Sequence, residues 1–147
     1  MQTAAIALAT ALLVAACAAR PVGPPEIVLD RSACSHCGML VSERIYAAAL
    51  RTSDGREQVF DDIGCLLDAV RKQSLTDARY WFHDAAGGQW IDGASAVFVA
   101  SPALRTPMAG GVLAFATRAA AERAAAGLST SVVPSMTALQ AQKGSVR

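Results

Sequence analysis

The chain is poor in most of what makes a function easy to read. Aromatic residues fill only 5% of its 147 positions, so any core is mostly aliphatic and of modest size. A charge excess is missing too, since 13 basic against 12 acidic side chains leave a formal net charge of +1. With no basic stripe, the chain carries no nucleic-acid footprint and no polybasic membrane surface. No apolar run reaches the length of a stable transmembrane helix. Residues 1–16 (MQTAAIALATALLVAA) are uncharged and mostly apolar, but too short and too poorly flanked to span. Lysine and arginine are absent from the first ten residues, leaving only the α-amino charge at that end.

The apolar segment ends in small residues and a cysteine. Val14-Ala15-Ala16-Cys17 resembles a bacterial lipobox, which implies a signal peptide over 1–16, cleavage before Cys17, diacylglycerol on its sulfur and acylation (palmitate) of its amino group. Two or more acyl chains anchor a protein stably where one does not. The other reading is an ordinary secretory signal with Cys17 as a chance residue. Resemblance to the lipoprotein sorting rule, with Ala18 in place of aspartate after the cysteine, implies the outer membrane over the inner. Residues 17–25 hold three prolines and no periodicity, a short stiff tether.

If Cys17 carries lipid, Cys34, Cys37 and Cys65 remain. An odd number outside the cytoplasm leaves at least one thiol without an intramolecular partner. Such a thiol is prone to oxidation unless it is buried or holds a metal. A Cys34–Cys37 or Cys34–Cys65 disulfide with a leftover buried cysteine is the alternative.

Further along, residues 26–30 (EIVLD) read as a short strand entering the hexapeptide Cys34-Ser35-His36-Cys37-Gly38-Met39. Residues 45–52 and 57–60 flank Asp54-Gly55, which predicts a hairpin because glycine supplies the positive φ of its turn. Ile63, Leu66, Leu67 and Val70 recur at helical spacing. Asp62 suits the N-cap of that helix, and Arg71 and Lys72 suit its C-terminal end. Cys65 falls off the apolar stripe, in the first turn, where the helix field favours a thiolate. It is a candidate ligating thiol, with packing beneath a loop or strand as the other reading. The second half repeats the plan loosely. It has extended segments at 80–83, 89–92 and 96–100, a tight loop Thr106-Pro107-Met108-Ala109-Gly110-Gly111 and a strand at 112–116. An alanine-rich helix over 118–126 follows, capped by Thr117 and ended by Gly127. The predicted class is therefore α+β, with two small ββα-type modules in tandem over about 26–75 and 78–128. Residues 129–147 show no period and read as a mobile tail.

The hexapeptide is the chemical centre. A thioredoxin-type dithiol needs its pair at a helix N-terminus, and here Gly38 follows at once. Structural zinc wants four ligands, commonly from two paired hooks. Only one hook exists, and completing it needs Cys65 with His36 or His83. Monovalent copper needs fewer ligands and accepts the thioether of methionine. Cys37 and Met39 can converge on one ion if the loop turns at Gly38, Met108 can close the site from the second half, and Cys34 and His36 are further candidates. For both methionines the plain alternative is core packing, and for His36 a solvated loop position.

Together the lipobox, the CxxCGM after an aspartate, the later FDDxxC and the TPMxGG…AF resemble the NosL family, from Cys17 to Ala126. These are lipoproteins accessory to nitrous oxide reductase in denitrification. The resemblance implies a Cu(I) chaperone, not an enzyme, anchored by lipid in the bacterial cell envelope and facing the periplasm. It also implies partners, either nitrous oxide reductase or an ABC-transporter-type assembly complex, and a fold similar to the C-terminal part of organomercurial lyase. The family's copper residues map by motif to Cys37 and Met39, with Met108 a candidate. The match departs at Ala109, where glycine often follows the methionine. The competing functions are a thiol–disulfide oxidoreductase using Cys34 and Cys37, a carbon–mercury lyase using two thiols and Asp61 or Asp62, and a structural lipoprotein.

Overall fold

The structure is a computed structural model and describes residues 22–144. The predicted signal segment 1–16, the lipidation site Cys17 and residues 18–21 of the tether lie outside the described residues. No helix among the described residues is long and apolar enough to cross a membrane.

Strands β1 (Ala48–Thr52) and β2 (Glu57–Phe60) form the expected hairpin, with Gly55 in its turn at φ 91°. Helix α1 (Ile63–Gln73) starts where the cap signal put it: the Asp62 side chain accepts from Gly64 N. It ends at Ser74, whose left-handed conformation (φ 51°) turns the chain away. The stripe Ile63, Leu66, Leu67 and Val70 is buried, as expected, but so are Cys65 and Ala69 on a second face. Strands β3 (Ala78–His83) and β4 (Trp90–Asp92) complete an antiparallel sheet of order β2-β1-β3-β4. Next come β5 (Val97–Ala100), β6 (Val112–Phe115), helix α2 (Arg118–Gly127), strand β7 (Val132–Val133) and helix α3 (Met136–Gly144). The second sheet has the order β6-β5-β7. The class is α+β in two sheets.

Three expectations change. Residues 26–30 form no strand: Val28 O accepts from Arg31 N and Ser32 N, and Asp30 takes φ 60°. The segment's hydrogen bonds close a turn, so an apolar run there has no ladder to join. Second, β3 and β4 belong to the first sheet, because β3 fills the free edge of β1 from Ala48↔Phe82 to Thr52↔Ala78. The boundary between the modules therefore falls after Asp92, not near residue 78. Third, residues after 128 are built into the fold. Strand β7 pairs with β5, and Leu139 of α3 is fully buried with Met136 and Val133 beside it. A two-residue strand has too few positions to show a period, and its partner edge exists only after folding.

The sheets share a core. Phe82 of β3 meets Phe98 of β5 edge-on, ring centroids 5.0 Å apart. Buried Asp84 stitches the seam: its carboxylate accepts from Ala86 N, Ala116 N and Gln89 Nε2, and its backbone bridges to Ala114.

Candidate metal centre

The hexapeptide folds as a tight hairpin. Cys34 N donates to Met39 O at 2.7 Å and Gly38 N to Cys34 O at 3.0 Å, with Gly38 at φ 80°. The hairpin docks on the edge of β2, where Ser35 N donates to Val59 O and Ser35 Oγ accepts from Val59 N. Backbone pairing thus aims Cys34 inward and leaves Cys37 half-buried over the start of α1. There Cys65 rises from the first helical turn, and Asp61 precedes the cap. One donor atom from each of Cys34, Cys37, Asp61 and Cys65 lies within 4.8 Å of every other.

All three cysteines are free thiols. Cys34 and Cys65 are buried, and Asp61 is only 3% exposed. Cys37 Sγ donates to Asp61 Oδ1 at 3.5 Å. Burial pushes the Cys34 thiol above its ordinary range; the backbone at Cys37 opposes this and Asp61 adds to it. Burial also pushes the Cys65 thiol up, reinforced by the negative charges of Cys34 and Asp61. The expectation that the helix field would favour a Cys65 thiolate fails here, because desolvation and like charge outweigh the partial charge of a helix end. A thiol exchanger needs an exposed thiol of lowered pKa. Neither Cys34 nor Cys65 meets that requirement, whereas a soft cation would stabilise the thiolates that the protein alone disfavours.

Above the cluster opens a cleft of about 350 Å³, lined by Cys37, Cys65, His36, Asp68, Arg71 and Met108 among others. His36 Nε2 lies 4.0 Å from Asp68 Oδ2, which keeps the imidazole at the rim. Met108 comes from the other module and is 44% exposed. Met39 is 58% exposed and is not among the residues lining the cleft. His83, the other histidine, ends β3 and is buried, with Nδ1 3.3 Å from Ala47 O and its ring 3.7 Å from Trp90. It is not part of this cluster.

One aspartate holds the Met108 loop in place. Asp62 is fully buried. While Oδ1 caps α1 at Gly64 N (2.6 Å), Oδ2 accepts from Thr106 Oγ1 (2.6 Å), Met108 N (3.0 Å) and Gly110 N (3.4 Å). The two backbones meet so closely that a Cβ on Gly110 would stand 2.1 Å from Asp62 Oδ1 and 2.8 Å from Gly64 Cα. Glycine is therefore required there by contact rather than by φ. Ala109 takes the left-handed conformation at φ 55°, which explains why glycine suits that position. From the residues alone, Asp61 appeared only as a candidate acid for lyase chemistry, and Asp62 as the alternative acid and as a helix cap. The adjacent pair of acids before a helix carrying a first-turn cysteine was the available signal.

A compact two-sheet α+β scaffold with a buried thiol cluster under an open cleft defines a small metal-binding protein. The NosL family model matches residues 25–133, and the chain belongs to that family. Among solved structures it is similar to the copper chaperone NosL from Shewanella denitrificans. The TM-score is 0.63 at 16% identity, over 75% of this chain and 92% of that one. No curated protein matches the chain.

Proposed function

We propose that the protein is a Cu(I) chaperone, anchored through lipid at Cys17 in the cell envelope and facing the periplasm, outer membrane favoured. Its client is a copper enzyme, nitrous oxide reductase by family, reached directly or through an ABC-transporter-type assembly complex. The copper residues are Cys37 and Met108, with Cys34, Cys65 and His36 within reach and Met39 at the exposed turn of the hairpin. The observation that carries this reading is that Cys37 and Met108, from different modules, line one cleft. A thiolate with a neutral thioether suits a soft monovalent ion and lets it leave. The 44% exposure of Met108 puts the thioether where a recipient's ligand can replace it. The copper is cargo, so no turnover is expected.

The test is a competition titration of the reduced protein, purified in detergent, against a chromophoric Cu(I) chelator. One equivalent should bind. Cys37→Ser should weaken it about 100-fold, in line with about 3 kcal/mol per ligand of a metal site, and Met108→Leu by a smaller factor. Unchanged affinity in both variants discards the site. Cys17→Ala should release the protein from the membrane fraction, and retention there discards the anchor.

A further inference from the structure

The chain enters the fold on one particular side. In the first sheet Ala48, Leu50, Phe60 and Phe82 face α1 and share its core. Alternation along the strands therefore turns Arg51, Arg79 and Trp81 to the opposite face. There the guanidinium carbons of Arg51 and Arg79 stand 5.2 and 5.0 Å from the centre of the Trp81 ring. Arg79 is held by Asp92, whose Oδ2 accepts from its Nε at 3.1 Å and its Nη2 at 2.6 Å. Its remaining nitrogen, Nη1, donates to Val22 O at 3.2 Å. Pro25, a little further along, is buried. Part of the stretch that reads as a tether is thus clamped to the outer face of the sheet, and only the five residues from Cys17 to Val22 separate lipid from domain.

The copper cleft is on the other side. Its lining comes from α1, the hexapeptide hairpin and the Met108 loop. The hairpin docks on β2, two strand spacings from β3, which is about 10 Å, and α1 adds a layer about 10 Å thick. These lengths decide which way up an anchored domain stands. Five residues, even fully extended, reach at most about 17 Å. With the cleft turned to the bilayer, Val22 would stand above the combined sheet and helix layers, about 20 Å up, and the anchor would fall short.

We propose that the outer face of the first sheet, around Val22, Arg79 and Trp81, is the surface this protein lays against lipid headgroups, so that the copper cleft opens away from the bilayer. The inference rests on the lipid anchor at Cys17 given above. Both arginines of this face are paired within the protein, Arg51 with Glu57 and Arg79 with Asp92. The short tether therefore holds the face down, and a zwitterionic phosphatidylcholine surface suffices. Cys37 and Met108 stay open to a partner arriving through the aqueous phase, and lipid is kept from the cleft.

The test uses the lipidated full chain, transferred from detergent into phosphatidylcholine vesicles. Both native tryptophans lie on the near side, since Trp90 pairs with His83 as Asp92 pairs with Trp81. Phosphatidylcholine carrying a nitroxide on its headgroup should therefore quench most of the native emission. Arg105→Trp places a third tryptophan on the exposed loop that leads to Met108, and the emission it adds should survive. Arg79→Ala frees Val22 and lengthens the tether by up to three residues, about 10 Å, so native quenching should fall. Equal quenching of native and added emission in vesicle-bound protein, or stronger quenching of the added emission, overturns the orientation and leaves the anchor standing. Native quenching unchanged in Arg79→Ala overturns it too, and the first comparison stands even if that variant does not fold. Protein that stays in solution beside the vesicles overturns the anchor itself, and this inference with it.

Discussion

Asp62 is where the architecture is most open to attack by a single atom. Replacing it with asparagine keeps the shape and exchanges one carboxylate oxygen for an NH₂. If the remaining oxygen stays toward Thr106, Met108 and Gly110, the NH₂ faces Gly64 N at a 2.6 Å separation. The helix then loses its cap, which costs about 1–2 kcal/mol. The three other bonds also lose their ionic character, a further 0.5 kcal/mol or so each. The opposite orientation leaves three donors facing a donor and is worse. Asp62→Asn should therefore destabilise the metal-free protein by about 3 kcal/mol, or 10–15 °C in Tm at this size. Asp62→Ala, which removes all four acceptor contacts, should cost about 4–6 kcal/mol, within reach of the whole stability of a domain. Urea denaturation followed by tryptophan fluorescence measures both. Thr106→Val removes one partner, and with Asp62→Asn it completes a double-mutant cycle whose coupling should exceed about 0.5 kcal/mol. A loss under about 1 kcal/mol in Asp62→Asn, or strict additivity in the cycle, would refute the claim that this carboxylate joins α1 to the Met108 loop.

Other expectations follow from single groups. His83 is buried and its pKa is lowered, chiefly by desolvation and also by Arg44, against a raising bond to Ala47 O. The unfolded chain therefore takes up a proton first as pH falls. Stability should drop below about pH 6.5 and level off at the folded pKa, and His83→Phe should abolish that slope in denaturation curves across pH. Leu139→Ala in α3 should cost about 2–5 kcal/mol, measured by the same unfolding; no effect would return residues after 128 to the status of a dispensable tail. Cys37 is half-buried while Cys34 and Cys65 are buried with raised pKa. Iodoacetamide at neutral pH should thus alkylate Cys37 first, by at least about tenfold, as read by peptide mass spectrometry, and faster labelling of Cys34 or Cys65 would contradict the assignment of depth.

Much of the site was legible in the chain. The hairpin at Asp54-Gly55, the helix capped at Asp62 and the Thr117-capped helix all follow from local rules, because turn φ, cap hydrogen bonds and helical periodicity involve residues a few positions apart. The same locality made Cys34, His36 and Cys37 readable as one donor cluster, and Gly38 as its turn. What stayed hidden depends on strand partners. Nothing in residues 78–83 says that β1, not β5, will take them. Nothing in Val132-Val133 announces a strand until β5 offers an edge. The burial of Cys65 and Asp61, and so the direction of the Cys65 pKa, likewise arises only when the hexapeptide hairpin lies down on β2.

The residue chemistry therefore named the donors, while folding chose among them. Sulfur-rich motifs identify a soft-metal site because ligand softness belongs to the side chain alone. Depth, mutual distance and charge belong to the assembled protein. They brought Asp61 into the cluster and Met108 to its mouth, and left Met39 in solvent, because a donor's position is set by contacts between segments far apart in the chain.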